Sequence, residues 1–346
     1  MKVSSSAPPD TDYKSRRHAA TESSRPLFSR LRVSVSTWPV SAIAGIYLAL
    51  HLPFLAPNLE DVDSINFALG LREFKPALHQ PHPPGYPVYI ALGRVSLWLI
   101  SMLWSSLGQT VSEARALAIW SALGGAAAIV ALFYVFRELE RESGSVGAAI
   151  AATLLAAVAP VFWISGSRPM SDMPGLAFAI GAQALILQGR RDRGRLIAGV
   201  CLAGLAVGLR VQTIWLTMPL LALALFEQRR AGVVWMLTRP VTALAVAGAA
   251  WGVPLIMLSG GIGGYLRALG TQADEDFAWV NMVWLNPTPR RLAFALYETF
   301  VLPWASVPLA AVVALAAVAG LIVAVDRKST RLNSSHVSES RMPSSA

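Results

Sequence analysis

Cysteine is almost missing from this chain. Cys201 is the single one in 346 residues, and it sits inside an apolar block. Disulfide frameworks, cysteine-based zinc sites and thiol catalysis therefore have nothing to build on. Charge is scarce too. Asp, Glu, Lys and Arg make up 14% of the residues, against about 25% in an ordinary soluble domain. Hydrophobic residues make up 54%, and mean hydropathy is +0.51. A soluble globule of this size would need a fuller charged shell. The apolar residues form long charge-poor blocks, which excludes disordered, collagenous and disulfide-rich secreted classes and indicates an integral membrane protein.

The net charge of +9 is unevenly placed. Residues 1–37 hold seven basic and three acidic residues, and residues 326–346 hold four and two, leaving +3 for everything between. Basicity concentrated in two polar tails argues against a nucleic-acid-binding domain. Residues 1–37, rich in Ser, Pro, Arg and Asp, read as a disordered cytoplasmic leader rather than a signal peptide. The other end, from Asp326 through His336 and on, resembles translated adapter read-through found at the ends of unrelated sequences. Residues 326–346 are therefore expected to be an artefactual or disordered tail, and 38–325 an incomplete transmembrane domain.

Apolar blocks lie at 38–57, 86–107, 116–136, 146–164, 173–188, 196–226, 241–258 and 302–325. About 20 apolar residues cross a bilayer core, and arginine-rich loops stay on the cytoplasmic side. The leader and the loops at 137–141, 190–195 and 229–239 carry such clusters, so an even number of crossings should separate them. Two consequences follow. Tyr86–Gly108, with Arg94, Trp98 and Trp104, should lie along or dip into the outer interface. Block 196–226 should cross twice, in arms of about 14 residues or roughly 21 Å, with the Arg210–Thr213 turn sunk below the outer headgroups. The expected fold is an all-α polytopic transmembrane helix bundle of about eight crossings plus an interfacial helix in the first outer loop. No internal repeat is evident.

The polar residues of interest fall in the outward-facing segments. Glu60, Asp61 and Asp63 follow the first block. A carboxylate there can accept a proton from an attacking hydroxyl or bind a divalent ion; the alternative is a solvated acid, or a helix cap through Asp63. His79 and His82 are separated and followed by prolines, which preclude one helix presenting both to a metal. Arg210 at a helix break is costly at membrane depth, so it is functional by default unless it snorkels. Arg168 and Asp172 could pair across a helix end. Gly260–Gly264 reads as a flexible hinge, and Asp274–Asp276 with Trp279 and Trp284 as a solvated loop or an acceptor groove.

Asp63-Ser-Ile-Asn-Phe-Ala68 followed by His82-Pro-Pro-Gly-Tyr-Pro87 resembles the first periplasmic loop of the GT-C superfamily of membrane glycosyltransferases. That group includes the protein O-mannosyltransferases and the aminoarabinose transferases of lipid A. Arg168-Pro-Met-Ser-Asp172 and Gly208-Leu-Arg-Val-Gln-Thr213 resemble further elements of it, and the similarity spans most of 40–304. The resemblance implies inverting transfer of a sugar from a polyprenyl-phosphate donor to a hydroxyl of a glycan, lipid or protein acceptor. The reaction would take place on the periplasmic or extracellular face of a bacterial inner membrane, within the cell envelope. The catalytic carboxylate is carried onto Asp63, with Asp61 as its rival, as general base or as ligand of an activating divalent metal ion. His82, Tyr86, Arg168, Asp172, Arg210 and Gln212 become substrate-binding candidates. One departure stands out: no lysine directly follows the His-Pro-Pro run, so another cation must serve the phosphate. Two other classes remain open, a polytopic transporter or lipid flippase and an inactive assembly partner.

Overall fold

A computed structural model describes residues 38–105, 112–141, 144–228, 233–279 and 287–339. The leader at 1–37 and Trp284 lie outside the described residues, as do the side chains of Trp104 and Trp279. The described chain is helical and contains no β-strand. Its thirteen α-helices are α1 Trp38–His51, α2 Val62–Arg72, α3 Pro87–Ser105, α4 Glu113–Leu139, α5 Val146–Ala157, α6 Pro160–Ser165, α7 Asp172–Gln188, α8 Arg193–Leu209, α9 Thr213–Gln228, α10 Val233–Leu258, α11 Gly261–Trp279, α12 Pro289–Phe300 and α13 Val307–Glu339.

The centre of the bundle is α7, which packs against α4, α8 and α9. Small residues make this possible. Gly175, Ala177, Ala179, Ala182 and Ala184 of α7 are buried, and Gly124 of α4 lies directly against the start of α7. A Cβ at Gly124 would sit 2.6 Å from the Pro174 nitrogen. In an apolar solvent such close backbone approach supplies the van der Waals contact that holds helices together. Outward faces are apolar instead of charged. Val246, Val253 and Met257 of α10 and Val312, Leu315 and Leu321 of α13 are all exposed, the pattern expected of a membrane protein.

The crossing count differs from the expected eight. By length and apolarity, two of the described helices can cross a membrane, Glu113–Leu139 and Thr238–Leu258. A third span results if Pro289–Trp304 and Val307–Val323, bent by 91°, count as one. The reason lies in where the helices break. The block at 38–57 gives a helix of 14 residues that ends before Pro53. The block at 146–164 is split before Pro160 into helices of 12 and 6 residues. Helices α7, α8 and α9 have 17, 17 and 16 residues, or roughly 24–26 Å at 1.5 Å per residue. Apolar composition identified the blocks but could not locate these breaks.

Several local expectations also change. In place of a hinge over 260–264 there is a two-residue turn at Ser259 and Gly260, with positive φ at Gly260 and at Gly261, where α11 begins. Residues 261–279 are helical, so Asp274–Asp276 stand on a helix and not in a loop. Arg94 is engaged at the end of α2, donating to the carbonyls of Leu71 and Gly70 at 3.1 and 3.0 Å.

One expected grouping is visible. Arg191 and Arg141 both pair with Glu138, at 3.3 and 3.5 Å, and Arg190 pairs with Glu227 at 2.9 Å. The loops after α4 and α7 and the end of α9 thus gather at one end of the bundle. Asp172 at the start of α7 and Arg210 at the end of α8 mark the other.

Candidate functional site

The site begins at the entry to α2. Asp61 is the N-cap residue, in an extended conformation, and its Oδ1 accepts from the Ser64 amide at 2.7 Å. The buried Ser64 hydroxyl in turn accepts from the amides of Asp61 and Glu60. This reciprocal cap satisfies helix-end donors that have no partner within the helix. The cap is therefore Asp61, not Asp63 as the sequence suggested. The second Asp61 oxygen accepts from Arg168 Nη2 at 2.7 Å, while Arg168 Nε reaches Glu60 at 3.1 Å.

Arg168 thus pairs with the segment leading into α2 and not with Asp172. The connection is reinforced by the Ala56 amide, which donates to the Ser167 carbonyl at 2.9 Å. Asp172 instead meets Arg210, Oδ1 to Nη2 at 3.2 Å. Arg210 caps the C-terminal end of α8 with extended backbone. Its other guanidinium nitrogen, Nη1, donates to Ser171 at 3.3 Å. The break at 210–212 forms where the sequence predicted it, and its arginine is held within the protein, 27% exposed.

Asp63 stands apart from these pairs. It lies in the first turn of α2, and its ionisable neighbour is His82, Oδ1 to Nε2 at 3.5 Å. The His82 ring stacks on Phe67 and meets Tyr86 edge-on. Its Nδ1 is buried without a hydrogen-bond partner. Burial lowers the His82 pKa, opposed by the charges of Asp63 and Asp276. The ring is thereby biased toward its neutral form, which keeps one acceptor lone pair.

Tyr86 is the point where the groups converge. It is buried with a left-handed φ of 46°, an uncommon backbone state for a bulky residue. Its phenol is pushed up to about 12, chiefly by burial, with contributions from Asp63, Asp172 and Asp276 and an opposing one from Arg210. The hydroxyl stays protonated and can donate to an anionic or carbonyl oxygen.

A cavity of about 260 Å³ opens beside the Asp172–Arg210 pair. Asp172, Arg210 and Gln212 give it a polar end; Phe162, Met173, Leu176 and Leu216 give it an apolar wall. Lined in this way, it suits a molecule with a charged head and a hydrocarbon tail.

The structure brings Asp63, His82, Tyr86, Asp172 and Arg210 into one region, with Gln212 on the cavity wall. Asp61 and Arg168 brace its edge. Asp276, expected in a solvated loop or an acceptor groove and not among the site candidates, adds its charge to His82 and Tyr86 from α11. Tyr265 on the same helix donates to the Pro84 carbonyl at 3.4 Å, so α11 lies over the loop that carries His82. A signal existed: Tyr265, Gln272 and Asp276 recur at i, i+7 and i+11, one face of a helix. Among the described residues no group of three or more His, Cys, Asp or Glu is placed to hold a metal ion. Asp63 and His82 alone do not make a metal site.

Residues 74–233 match the family model described as the protein O-mannosyl-transferase TMEM260 N-terminal domain. This similarity supports glycosyltransferase activity. It takes in His82, Tyr86, Arg168, Asp172, Arg210 and Gln212, and begins after the carboxylates at 60–63. No curated protein and no solved structure matches the chain.

Proposed function

We propose that the chain belongs to a GT-C type membrane glycosyltransferase that moves a sugar from a polyprenyl-phosphate donor to an acceptor hydroxyl on the outer face of a bacterial inner membrane. The carrying observation is the amphipathic cavity, which sets Arg210 at the mouth of an apolar wall within the same cluster as Asp63, His82 and Tyr86. The apolar wall receives the first isoprene units, and the donor phosphate meets Arg210. Given the similarity to a protein O-mannosyl-transferase domain, mannose is the first sugar to test and a protein hydroxyl the first acceptor.

The reaction needs a base on one side of the anomeric carbon and a cation on the other. The Asp63 carboxylate accepts the acceptor's hydroxyl proton as its oxygen bonds to the anomeric carbon. The bond from that carbon to the phosphate oxygen breaks, its electron pair remains on the lipid phosphate, and configuration inverts. Arg210 meets the charge that develops there, held in place by Asp172 and Ser171. A fixed cation whose orientation is already set stabilises such charge without reorganising. The unpartnered His82 Nδ1 accepts a hydroxyl of the sugar or acceptor, which relieves the cost of about 1–3 kcal/mol that an unsatisfied buried polar atom carries. Tyr86 donates to a phosphate or sugar oxygen.

The test uses the full chain in proteoliposomes, with radiolabelled polyprenyl-phosphate mannose and a serine- and threonine-rich acceptor peptide. Arg210→Gln is expected to slow transfer by about 10²–10³, the usual cost of removing one charge-stabilising donor. Transfer at the wild-type rate in that variant would take Arg210 out of the mechanism.

A further inference from the structure

Helix α12, Pro-Arg-Arg-Leu-Ala-Phe-Ala-Leu-Tyr-Glu-Thr-Phe over Pro289–Phe300, plays no part in the site described above. At 100° per residue, Leu292, Leu296 and Phe300 align along one face with Ala293 and Tyr297 beside them. Arg291, Phe294 and Glu298 occupy the opposite side, with Ala295 toward it and Thr299 bordering Leu292. None of its residues is buried: Leu292 is 52% exposed and Phe300 65%. Among the described residues its packing is against the Leu302–Trp304 turn that follows it. An apolar stripe so uncovered in a charge-poor chain is matched to an apolar solvent.

Two further observations fix which part of the bilayer suits it. The segment 289–304 is bent by 91° from Val307–Val323, whose Val312, Leu315, Val318, Leu321 and Ile322 are exposed. With that apolar segment directed into the membrane, α12 lies parallel to the membrane surface. Arg290, Arg291 and Glu298 on a single 12-residue helix make deep immersion costly. The same pattern is favourable in the headgroup layer, where the apolar face dips into the acyl boundary and basic residues meet lipid phosphates.

We propose that α12 is an in-plane membrane anchor, with Leu292, Leu296 and Phe300 in the acyl boundary and Arg290 and Arg291 engaging the phosphate of an anionic phospholipid. The two arginines line an open concavity with Thr288 and Phe294. Thr288 caps the helix there, accepting from the Arg291 amide at 3.3 Å. The helix dipole adds positive potential at this end. Charge complementarity therefore selects phosphatidylglycerol over a zwitterionic lipid.

The test is site-directed spin labelling of the full chain in nanodiscs. Cys201 is the single native cysteine, so Cys201→Ser supplies the background, with Cys201→Ala as a second. Labels are placed through Leu292→Cys, Leu296→Cys and Phe300→Cys, and through Ala295→Cys and Glu298→Cys. The first three are expected to be accessible to oxygen and protected from a water-soluble nickel chelate, with the order inverted at the other two. The label at 296 is expected to sit deeper in phosphatidylglycerol discs than in phosphatidylcholine discs, and Arg290→Gln with Arg291→Gln to abolish that difference. Nickel access at all five positions, oxygen access at all five, or protection from both reagents would each overturn the anchor. Equal depth in the two lipids would overturn the anionic headgroup. None of these readings depends on glycosyl transfer.

Discussion

Asp61 and Asp63 stand two positions apart in sequence and in different chemical circumstances. Both oxygens of Asp61 are engaged, one by the Ser64 amide and one by Arg168. Asp63 faces His82 at 3.5 Å and, in the proposed reaction, is the carboxylate that takes the proton from the acceptor. His82 carries a consequence of its own. Burial holds its pKa below the usual 6.5, with Asp63 and Asp276 only partly offsetting that effect. The unfolded chain therefore takes up a proton at a pH where the folded protein does not. The stability gained from the neutral ring is complete above 6.5 and is lost as the pH falls through the lower folded value. Thermal melting of the full chain is expected to fall on acidification through this window, and to fall less in His82→Gln. Equal pH dependence in the two proteins would contradict a neutral buried His82.

Among the elements, α2 shows how an end is fixed. Asp61→Ala removes both its N-cap and the Arg168 partner, and is expected to cost about 0.5–2 kcal/mol, read by thermal or denaturant unfolding. Asp61→Asn keeps a competent cap and loses a half-exposed ion pair worth about 0–1 kcal/mol. An equal loss in both variants would place the stability in the pair and not in the cap. The helices themselves were legible in the sequence because apolar runs and arginine loops mark them. So was the break at Arg210, where a charged residue interrupts an apolar block. The pairings were not legible. Arg168 and Asp172 suggest a local pair, but Asp172 starts α7 toward the end of α8, while the Ser167 carbonyl ties the preceding loop to residue 56. The link from Asp276 to His82 and Tyr86 was not legible because its segment reads as a glycine-led loop, whereas the turn is confined to Ser259 and Gly260 and a helix follows. The crossing count failed for a related reason. Prolines 53 and 160 end helices inside blocks that hydropathy treats as continuous.

At the scale of the whole molecule, scarce charge is sorted by position. Glu138, Arg190, Arg191 and Glu227 tie the loops together at one end of the bundle. Asp63, His82, Tyr86, Asp172 and Arg210 gather at the other, beside a cavity with an apolar wall. In the proposed reaction a lipid-borne phosphate and a water-borne hydroxyl meet at this end, and the similarity over 74–233 supports glycosyltransferase activity. The central claim is that Asp63 acts as the base while Asp61 acts as a brace. Transfer from polyprenyl-phosphate mannose by Asp63→Asn and Asp61→Asn, in full-length protein reconstituted at equal amounts, tests it most directly. The account predicts a loss of about 10²–10⁴ for Asp63→Asn, the range for removing a general base, with Asp61→Asn close to wild type. Undiminished transfer by Asp63→Asn, or the larger loss in Asp61→Asn, would contradict it.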